Sequence, residues 1–408
     1  MTTIGCPTCG TLDHIPPIDA HALARCRRCH ATLERRRGRS VEAALACTTA
    51  TFVLLFPANL APLMTVTMLG ASHSSVLASG IVSMWNDGWV ILAVLLGMFG
   101  IVLPFARFGG LMLVLAAIGF GWRFSGIGAV FRWSLALDAW AMPDVYLVGC
   151  IIGYVRVTHS VTGSIGAGGY CLIAVGLMSM LTRASLDRRT VWRAIEADRR
   201  PSRGEAVLSC AGCDMVQPYA CAGRSCSRCG LTLRARRVAA LSRASALSRA
   251  SALSLAALVL TVPANLLPMT TSIQLGRVHT HRIVDGVMQL FHVGLWPFGI
   301  LTFITSIVIP VAKIVGMGWF VASVLRRSRR HLRLKVRLYR WIDELGRWSN
   351  VDVFTIAAFV PLIRFDGVAS AQPATGATAF ALVVFLTMLA SRAFDPRLMW
   401  DRPDRRTR

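Results

Sequence analysis

The stretch Pro57-Ala58-Asn59-Leu60-Ala61-Pro62 recurs later in the chain as Pro263-Ala264-Asn265-Leu266-Leu267-Pro268. Each copy follows two Cys-x-x-Cys pairs, which are Cys6, Cys9, Cys26 and Cys29 in the first copy and Cys210, Cys213, Cys226 and Cys229 in the second. Further matches run through the rest of the chain and include Arg132-Trp133 with Arg340-Trp341 and Asp144-Val145 with Asp352-Val353. The chain is therefore an internal duplication, and a polar residue that recurs in both copies carries information.

Apolar runs long enough to cross a bilayer, which takes about 20 residues, follow each cysteine cluster in a chain that is 54% hydrophobic. They cover residues 41–63, 89–119, 140–158, 168–186, 253–270, 294–325, 350–365 and 377–394. This pattern predicts an all-α polytopic membrane protein with about eight transmembrane helices, arranged as two parallel four-helix repeats. We predict four domains: zinc ribbon 1 (1–40), transmembrane repeat 1 (41–200), zinc ribbon 2 (201–240) and transmembrane repeat 2 (241–408).

Basic residues are distributed unevenly in this chain of net charge +24. Arginines crowd 25–39, 183–249, 326–347 and 392–408, whereas the intervening loops 64–88 and 157–169 contain no Lys or Arg. The positive-inside rule then places both termini and both cysteine clusters in the cytoplasm. Acidic lipid headgroups are the expected partners of these arginines, and no nucleic acid partner is expected. The first forty residues lack the apolar core of a signal peptide, so we expect the first helix to act as an uncleaved anchor.

The paired Cys-x-x-Cys sequences have the spacing of four-cysteine zinc sites. Each pair puts two thiolates on one side of a tight loop, and two pairs complete a tetrahedron around Zn²⁺ with no open position. We therefore expect two structural zinc sites. Redox chemistry of the dithiols is the rival interpretation.

The repeated proline motif should disturb the helices that carry it. Its prolines lack an N–H donor and should kink or unwind the first and fifth helices: Pro57, Pro62, Pro263 and Pro268. Asn59 and Asn265 either satisfy the freed carbonyls or mark a broken helix that lines a cavity.

Charged residues also recur inside the apolar runs. Lys313 follows Pro310 within the sixth helix and stands where Arg107 stands in the first copy. A cation there is costly unless it faces protein, water or headgroups, so we predict a polar interior site, with snorkelling to the membrane surface as the alternative. Asp144 and Asp352 either complement helix N-termini or serve as partners of these cations.

Taken together, these motifs resemble the paraquat-inducible protein A family. The resemblance rests on the ribbons, the repeated proline motif, Ser306 to Lys313, Arg347 to Val353 and Phe394 to Trp400. It covers nearly the whole chain and is stronger in the second copy, because the first has Arg107 in place of the lysine.

The resemblance implies a multi-pass protein of a bacterial inner membrane. Its partners would be phospholipid and a periplasmic mammalian-cell-entry (MCE) domain protein, which forms a tunnel toward the outer membrane. The expected function is to pass lipid between the inner membrane and that tunnel and so to support envelope integrity. We expect the lipid cavity near Lys313 and Asn265, with Pro263, Pro268, Pro310 and Asp352, and with Asn59, Pro57, Pro62, Arg107 and Asp144 as the first-repeat counterparts.

Two rivals belong to other classes. One is a membrane-anchored sensor or scaffold, in which the ribbons bind a cytosolic partner and the helices only anchor. The other is a redox enzyme. The chain contains no P-loop, no dinucleotide fingerprint and no nucleophile elbow, and we expect it not to be an enzyme.

Overall fold

The computed structural model describes residues 2–16, 22–35, 41–68, 71–158, 162–199, 205–233, 239–274, 277–326, 328, 330–359, 364–365 and 369–400. The helices of the first half are α1 (Val41–Leu60), α2 (Leu77–Asn86), α3 (Val90–Gly97), α4 (Leu103–Gly119), α5 (Ile127–Ala136), α6 (Pro143–Thr158), α7 (Ala167–Ser185) and α8 (Arg188–Ile195). Those of the second half are α9 (Ala239–Leu266), α10 (Ile283–His292), α11 (Trp296–Phe303), α12 (Ile309–Leu325), α13 (Leu332–Leu345), α14 (Val351–Phe359) and α15 (Thr375–Ala393). Helices α1 to α7 thus correspond in order to α9 to α15, as a duplicated chain requires.

Within the described residues, 7 helical segments are long and apolar enough to cross a membrane. They are Val41–Leu60, Val90–Gly119, Ile127–Arg156, Ala167–Ser185, Ser245–Leu266, Trp296–Leu325 and Thr375–Ala393. The predicted run 350–365 corresponds to α14, whereas 360–363 lie outside the described residues and Arg364–Phe365 form a short strand. The predicted fold class, a helical membrane protein built from two repeats and two cysteine ribbons, is confirmed.

Both long second helices of the repeats contain a π-helical turn, at Met98–Val102 between α3 and α4 and at Ile304–Val308 between α11 and α12. Pro104 and Pro310 lie just beyond these turns. A proline ring clashes with the carbonyl four residues earlier and has no N–H to donate, and a wider turn gives that carbonyl room. We did not predict these turns from the sequence.

Short antiparallel sheets lie at the end of the bundle that is poor in arginine, here called the strand end. The first half has the order β6–β5–β7, with β5 (Met64–Met68), β6 (Ala71–Ser75) and β7 (Thr162–Ile165). The second half has the order β11–β10–β13–β12, with β10 (Thr270–Gln274), β11 (Arg277–His281), β12 (Arg364–Phe365) and β13 (Ala369–Pro373). Each sheet ties the end of a repeat's first helix to the start of its last. These sheets were not predicted from the sequence.

The repeated proline motif makes the same connection. The backbone N–H of Gly168 in α7 donates to the Pro62 carbonyl at 2.9 Å, and that of Gly376 in α15 donates to the Pro268 carbonyl at 3.0 Å. A Cβ on Gly376 would lie 2.5 Å from the Pro268 oxygen, so this approach requires glycine. The motif therefore fastens the first helix of each repeat to the last.

The two halves meet along α6 and α14. A Cβ on Gly149 of α6 would lie 2.9 Å from the Cβ of Phe354 on α14. The Thr355 hydroxyl donates to the Gly149 carbonyl at 3.2 Å. The absence of a side chain at Gly149 thus lets the third helices of the two repeats pack with their backbones in close contact.

The cysteine ribbons lie at the opposite end, here called the ribbon end. Ribbon 1 (2–16 and 22–35) has the hairpins β1 (Thr2–Gly5) with β2 (Leu12–Ile15) and β3 (Leu23–Arg25) with β4 (Thr32–Arg35), and ribbon 2 (205–233) has β8 (Val207–Ser209) with β9 (Val216–Pro218). Each ribbon packs on the repeat that does not follow it in the chain. Ribbon 1 shares a buried cluster with Phe320, Val336 and Trp400 of the second half. Ribbon 2 shares one with Leu111, Phe131 and Trp192 of the first half.

A chain of ion pairs joins the two crossed ribbons. Arg193 of α8 binds both carboxylate oxygens of Glu34 in ribbon 1, at 2.7 and 2.9 Å, and Asp198 at 2.8 Å. Asp198 in turn pairs with the buried Arg228 of ribbon 2 at 3.0 Å. Burial, the largest influence, raises the pKa of Asp198, but hydrogen bonds and charges from both arginines outweigh it and hold that pKa below its usual value. The pair therefore adds stability above about pH 4 that is lost as the pH falls through the lowered pKa.

Candidate functional site

The two cysteine quartets have the geometry of metal sites. In each quartet the four Sγ atoms lie within 4.8 Å of one another, and all eight cysteines are buried. In the first quartet the Sγ atoms of Cys6 and Cys29 are 3.5 Å apart. In the second quartet Cys210 and Cys229 are 3.4 Å apart and Cys213 and Cys226 are 3.7 Å apart. A tetrahedral ion with metal–sulfur bonds of about 2.3 Å requires sulfur–sulfur distances of about 3.8 Å. Both quartets could therefore hold an ion by four thiolates.

Arg107 belongs to a buried ionic network in the first half. Its guanidinium lies 2.5 Å from Asp138, which also pairs with Arg183 at 3.0 Å. Arg183 extends the network to the buried Asp144 at 2.8 Å. Arg347 of the second half lies 3.9 Å from the same carboxylate oxygen of Asp144. Asp144 therefore pairs with Arg183 and not with Arg107 or Lys313, the two cations considered from the sequence, and Arg107 pairs with Asp138 instead.

Lys313 has neutral neighbours instead. Its Nζ atom donates to the Gly346 carbonyl at 3.1 Å and to the Thr387 hydroxyl at 3.0 Å, and the residue is 1% exposed. Among the described residues, no carboxylate lies within 4.0 Å of this ammonium group. Lys313 therefore points into the protein, and snorkelling to the membrane surface is not its conformation.

Corresponding positions explain the difference between the two halves. Counting from the match of Arg132 with Arg340, the corresponding pairs are Asp138 with Gly346, Ser179 with Thr387 and Arg183 with Ser391. Asp138 and Arg183 of the first network are thus replaced by neutral residues in the second, whereas Asp144 corresponds to the acidic Asp352. The same fold thus contains a network of ion pairs in one half and, in the other, a buried lysine with no carboxylate within 4.0 Å in the described part of the chain.

A cleft of about 200 Å³ lies between these two networks at the ribbon end. The charged residues that line it are four cations and three acids: Asp138 and Arg188 from the first half, and Lys313, Asp343, Glu344, Arg347 and Arg392 from the second. Cations outnumber acids in this set, and Asp138 is already engaged by three arginines. The cleft therefore suits an anionic group that enters between the halves.

Asp352 lies elsewhere in the bundle. Its carboxylate lies near Ser306 in the π-helical turn and near Arg156 from the other half, whose charge acts on it. Asp352 Oδ2 and Arg156 Nε are both buried with no hydrogen-bond partner among the described residues. The Arg156 guanidinium also reaches the Gly286 carbonyl at 3.4 Å. A second polar contact between the halves thus lies beside the π turn, outside the residues that line the cleft.

The structure does not bring the proline motif to this cleft. Asn265 is exposed near the strand end of α9, and its side-chain amide donates to the Thr261 carbonyl at 2.8 Å. The buried Asn59 donates in the same way to the Leu55 carbonyl at 2.6 Å. The carbonyls that Pro57 and Pro263 leave without a donor belong to Val53 and Val259, so neither amide supplies the bond that we expected.

Several residues of the cleft were missed in the sequence. Asp138, Asp343, Thr387 and Arg392 escaped notice because each lies at the margin of an apolar run or is an ordinary polar residue there. Arg183 offered the one usable signal, a cation inside the run 168–186. Alignment of the two copies around Asp138 and Gly346 would have exposed the loss of the counter-ion.

Comparison with known proteins agrees with this organisation. The family model described as "Paraquat-inducible protein A" matches residues 41–196 and again 247–404. The chain is 30% identical over 402 residues to "Lipophilic envelope-spanning tunnel protein A" of Escherichia coli (strain K12), covering 97% of this chain and 90% of that protein. It is 28% identical over 414 residues to "Intermembrane transport protein PqiA" of the same strain, covering 97% and 95%. A "Probable intermembrane transport protein" of Haemophilus influenzae is 24% identical over 413 residues, covering 98% and 96%. No solved structure matches the chain.

Proposed function

The chain belongs to the paraquat-inducible protein A family, and on this basis we propose that it is the inner-membrane component of an MCE-type lipid transport system. In this role it passes lipid between the inner membrane and a periplasmic tunnel of MCE-domain proteins and supports envelope integrity. Two Escherichia coli relatives that are matched along nearly their whole length are named as an envelope-spanning tunnel protein and an intermembrane transport protein. Their names support transport between membranes as the general role.

One observation carries the proposal for the site of transport. A buried lysine, with no carboxylate within 4.0 Å among the described residues, borders a cleft between two repeats that contact each other through α6 and α14. An uncompensated cation at membrane depth is costly and marks function more often than structure. Transporter folds built from repeats commonly bind substrate where the repeats meet.

The arginine distribution supports the orientation of the protein. With the ribbon end in the cytoplasm, both termini and both quartets lie inside, and the two strand-end sheets face the periplasm. The sheets are then the part of the chain available to a periplasmic MCE partner. Phospholipid would enter the cleft from the membrane between the halves.

We propose that both quartets hold zinc. Four thiolates in a buried tetrahedral arrangement favour Zn²⁺ and leave no position for a substrate, so the ion would be structural. Loading should give about two zinc ions per chain with no chromophore.

Lys313 would either bind the phosphate of the lipid headgroup or take part in proton coupling. An ammonium group bound by one carbonyl and one hydroxyl keeps a hydrogen that can be offered to a phosphate oxygen. Lys313 lies little more than one turn beyond the π segment Ile304–Val308, in which Ser306 lies near Asp352. The proline motif has a structural part in this proposal, because it joins the first helix of each repeat to the last at the strand end.

The test compares substitutions at the only two lysines of the chain, Lys313 and Lys335. Lys313→Ala should abolish complementation of envelope sensitivity in a strain lacking the protein and should reduce photocrosslinking of phospholipid to the cleft. Lys335→Ala is the matched control, because Lys335 is also buried but bonds to Ser323 outside the cleft. Full complementation and unchanged crosslinking by Lys313→Ala would show that the lysine has no part in transport.

A further inference from the structure

A basic groove of about 490 Å³ lies between ribbon 1 and α13, with Cys29 of the first quartet in its wall and Lys313 outside its lining. Arg25 of ribbon 1 lines one wall, and Arg333, Arg337 and Arg340 of α13 line the other. The three helix arginines are spaced by four and three residues, which puts them on one face of the helix. Trp341 closes the groove beside them.

The positive charge of this groove is not neutralised locally. All four arginines are exposed, and within the described part of the chain no carboxylate lies within 4.0 Å of any of them. Glu344 also lines the groove, but its carboxylate is bound by Arg347 at 3.0 Å. Four guanidinium groups around one concave surface repel one another, and an anion that bridges them relieves that repulsion.

The corresponding region of the other half differs in sequence and in packing. The positions that correspond to Arg333 and Arg337 are Ser125 and Ala129, and the position that corresponds to Arg25 is Ser225. There α5 lies directly on ribbon 2, where a Cβ on Gly128 would overlap the backbone oxygen of a ribbon residue. Of the groove arginines only Arg340 has a basic counterpart, Arg132. Packing of a ribbon on a helix therefore requires neither the other three arginines nor the open space.

The groove opens at the level of the lipid headgroups. Helix α13 packs along the ribbon-end part of α12, as the ring contact of Tyr339 with Phe320 at 5.8 Å shows. The span Trp296–Leu325 has 30 residues, which is about 45 Å of helix against a hydrocarbon core of about 30 Å. The end of α12 therefore passes through the headgroup region.

The face of α13 beside the groove exposes large apolar side chains: Leu334, Leu338, Trp341 and Leu345. An apolar face next to a row of arginines is typical of helices at an anionic membrane surface.

We propose that this groove binds the phosphate of an anionic phospholipid in the leaflet at the ribbon end. Arginine forks match phosphate oxygens in geometry and charge, and the exposed apolar face of α13 accommodates the upper part of the acyl chains. Glu344 lines both the groove and the Lys313 cleft, so a lipid held here lies next to the cleft. The proposal rests on the proposed lipid transport for its purpose, whereas the binding itself can be measured without transport.

The test compares two triple variants of the full-length protein in nanodiscs of zwitterionic lipid, titrated with fluorescent phosphatidylglycerol. R333Q/R337Q/R340Q should weaken binding at least tenfold, which corresponds to about 1.4 kcal/mol. R123Q/R249Q/R326Q removes the same charge from exposed arginines outside the groove and should change binding less than threefold. R333K/R337K/R340K keeps the charge but not the forked geometry, so its affinity should lie between those of the wild type and the glutamine variant.

Four outcomes would overturn the proposal. The first is equal binding by the two glutamine variants. Equal affinity of the wild-type protein for phosphatidylglycerol and phosphatidylcholine is another. Displacement of the lipid by inorganic phosphate at millimolar concentration would assign the groove to a free anion, and tighter binding of single-stranded oligonucleotide would assign it to nucleic acid. Lys313→Ala separates this proposal from the transport proposal, because it should leave lipid binding in the groove intact whether or not transport is lost.

Discussion

Replacing Lys313 by Met should leave the folding stability of the protein unchanged or raise it, although the same change should abolish lipid handling. Methionine fills a similar volume without a charge. The substitution removes two hydrogen bonds from the ammonium group, to the Gly346 carbonyl and the Thr387 hydroxyl. Bonds to a charged group contribute about 1.5–3 kcal/mol each.

Two features of the structure offset this loss. The ammonium group no longer has to be removed from water, which costs several kcal/mol for a buried ion. In addition, neither former partner is left unsatisfied, because Ser349 also donates to the Gly346 carbonyl at 2.8 Å and Thr387 itself donates to the Val384 carbonyl at 2.9 Å. We therefore expect a change in the free energy of unfolding between zero and a gain of about 4 kcal/mol.

The assay is thermal unfolding of the detergent-solubilised full chain, followed by tryptophan fluorescence and scored beside complementation of envelope sensitivity. The expected result is an unfolding midpoint equal to or above that of the wild type together with a loss of complementation. A destabilisation of more than about 2 kcal/mol would place the mutation among those that break a structural network. That result would refute the argument that Lys313 is retained at a cost to stability for its function.

Three further predictions concern the contacts that hold the helices and the ribbons together. Arg183→Met should destabilise the protein by about 3–5 kcal/mol, because the buried Asp144 loses its 2.8 Å ion pair. Arg188→Met, at a half-exposed position, should cost about 1 kcal/mol or less in the same unfolding assay. Gly149→Ala should lower the unfolding midpoint by overpacking the contact of α6 with α14, at about 1–3 kcal/mol, and Gly318→Ala, which meets open space in α12, should raise it. Removal of zinc by a chelator should increase amide hydrogen exchange in α5 and α13 as well as in the ribbons, because each ribbon packs on the opposite repeat.

Each of these predictions has its own contrary outcome. Equal effects of the two arginine substitutions would mean that the ionic network is not cooperative with folding. A stabilising Gly149→Ala would contradict the close backbone contact between the halves. Exchange that rises in the ribbons alone would show that the helices do not depend on them.

The features that could be predicted from the sequence are those that depend on local composition. The Cys-x-x-Cys spacing predicts each quartet, because the two residues between the cysteines form the tight loop that brings two thiolates to one side. The apolar runs predict the spans by length alone. Because the chain is duplicated, each position can be compared with its counterpart in the other copy, and this comparison identifies Lys313 and Arg107.

The features that were missed depend on contacts between distant segments. Strand β7 pairs with β5 about a hundred residues earlier, and a five-residue strand carries little signal in the sequence. The crossed packing of the ribbons depends on which faces fit, which composition does not reveal. However, the large distance between Asn265 and Lys313 could have been deduced from the sequence. Helix α9 ends at Leu266, next to the strand-end sheet, whereas Lys313 lies 17 residues beyond the start of the span Trp296–Leu325, about 25 Å along the helix.

The most direct test of the central proposal is the transfer of lipid to an MCE-domain partner. Membranes containing radiolabelled phospholipid, the partner with a photocrosslinking residue in its tunnel, and either the wild-type chain, Lys313→Ala or no chain would be irradiated, and label on the partner would be counted. We predict that label on the partner changes at least severalfold when the chain is absent or carries Lys313→Ala, lower if the protein loads the tunnel and higher if it unloads it. Equal label in all three membranes would contradict lipid transport by this protein.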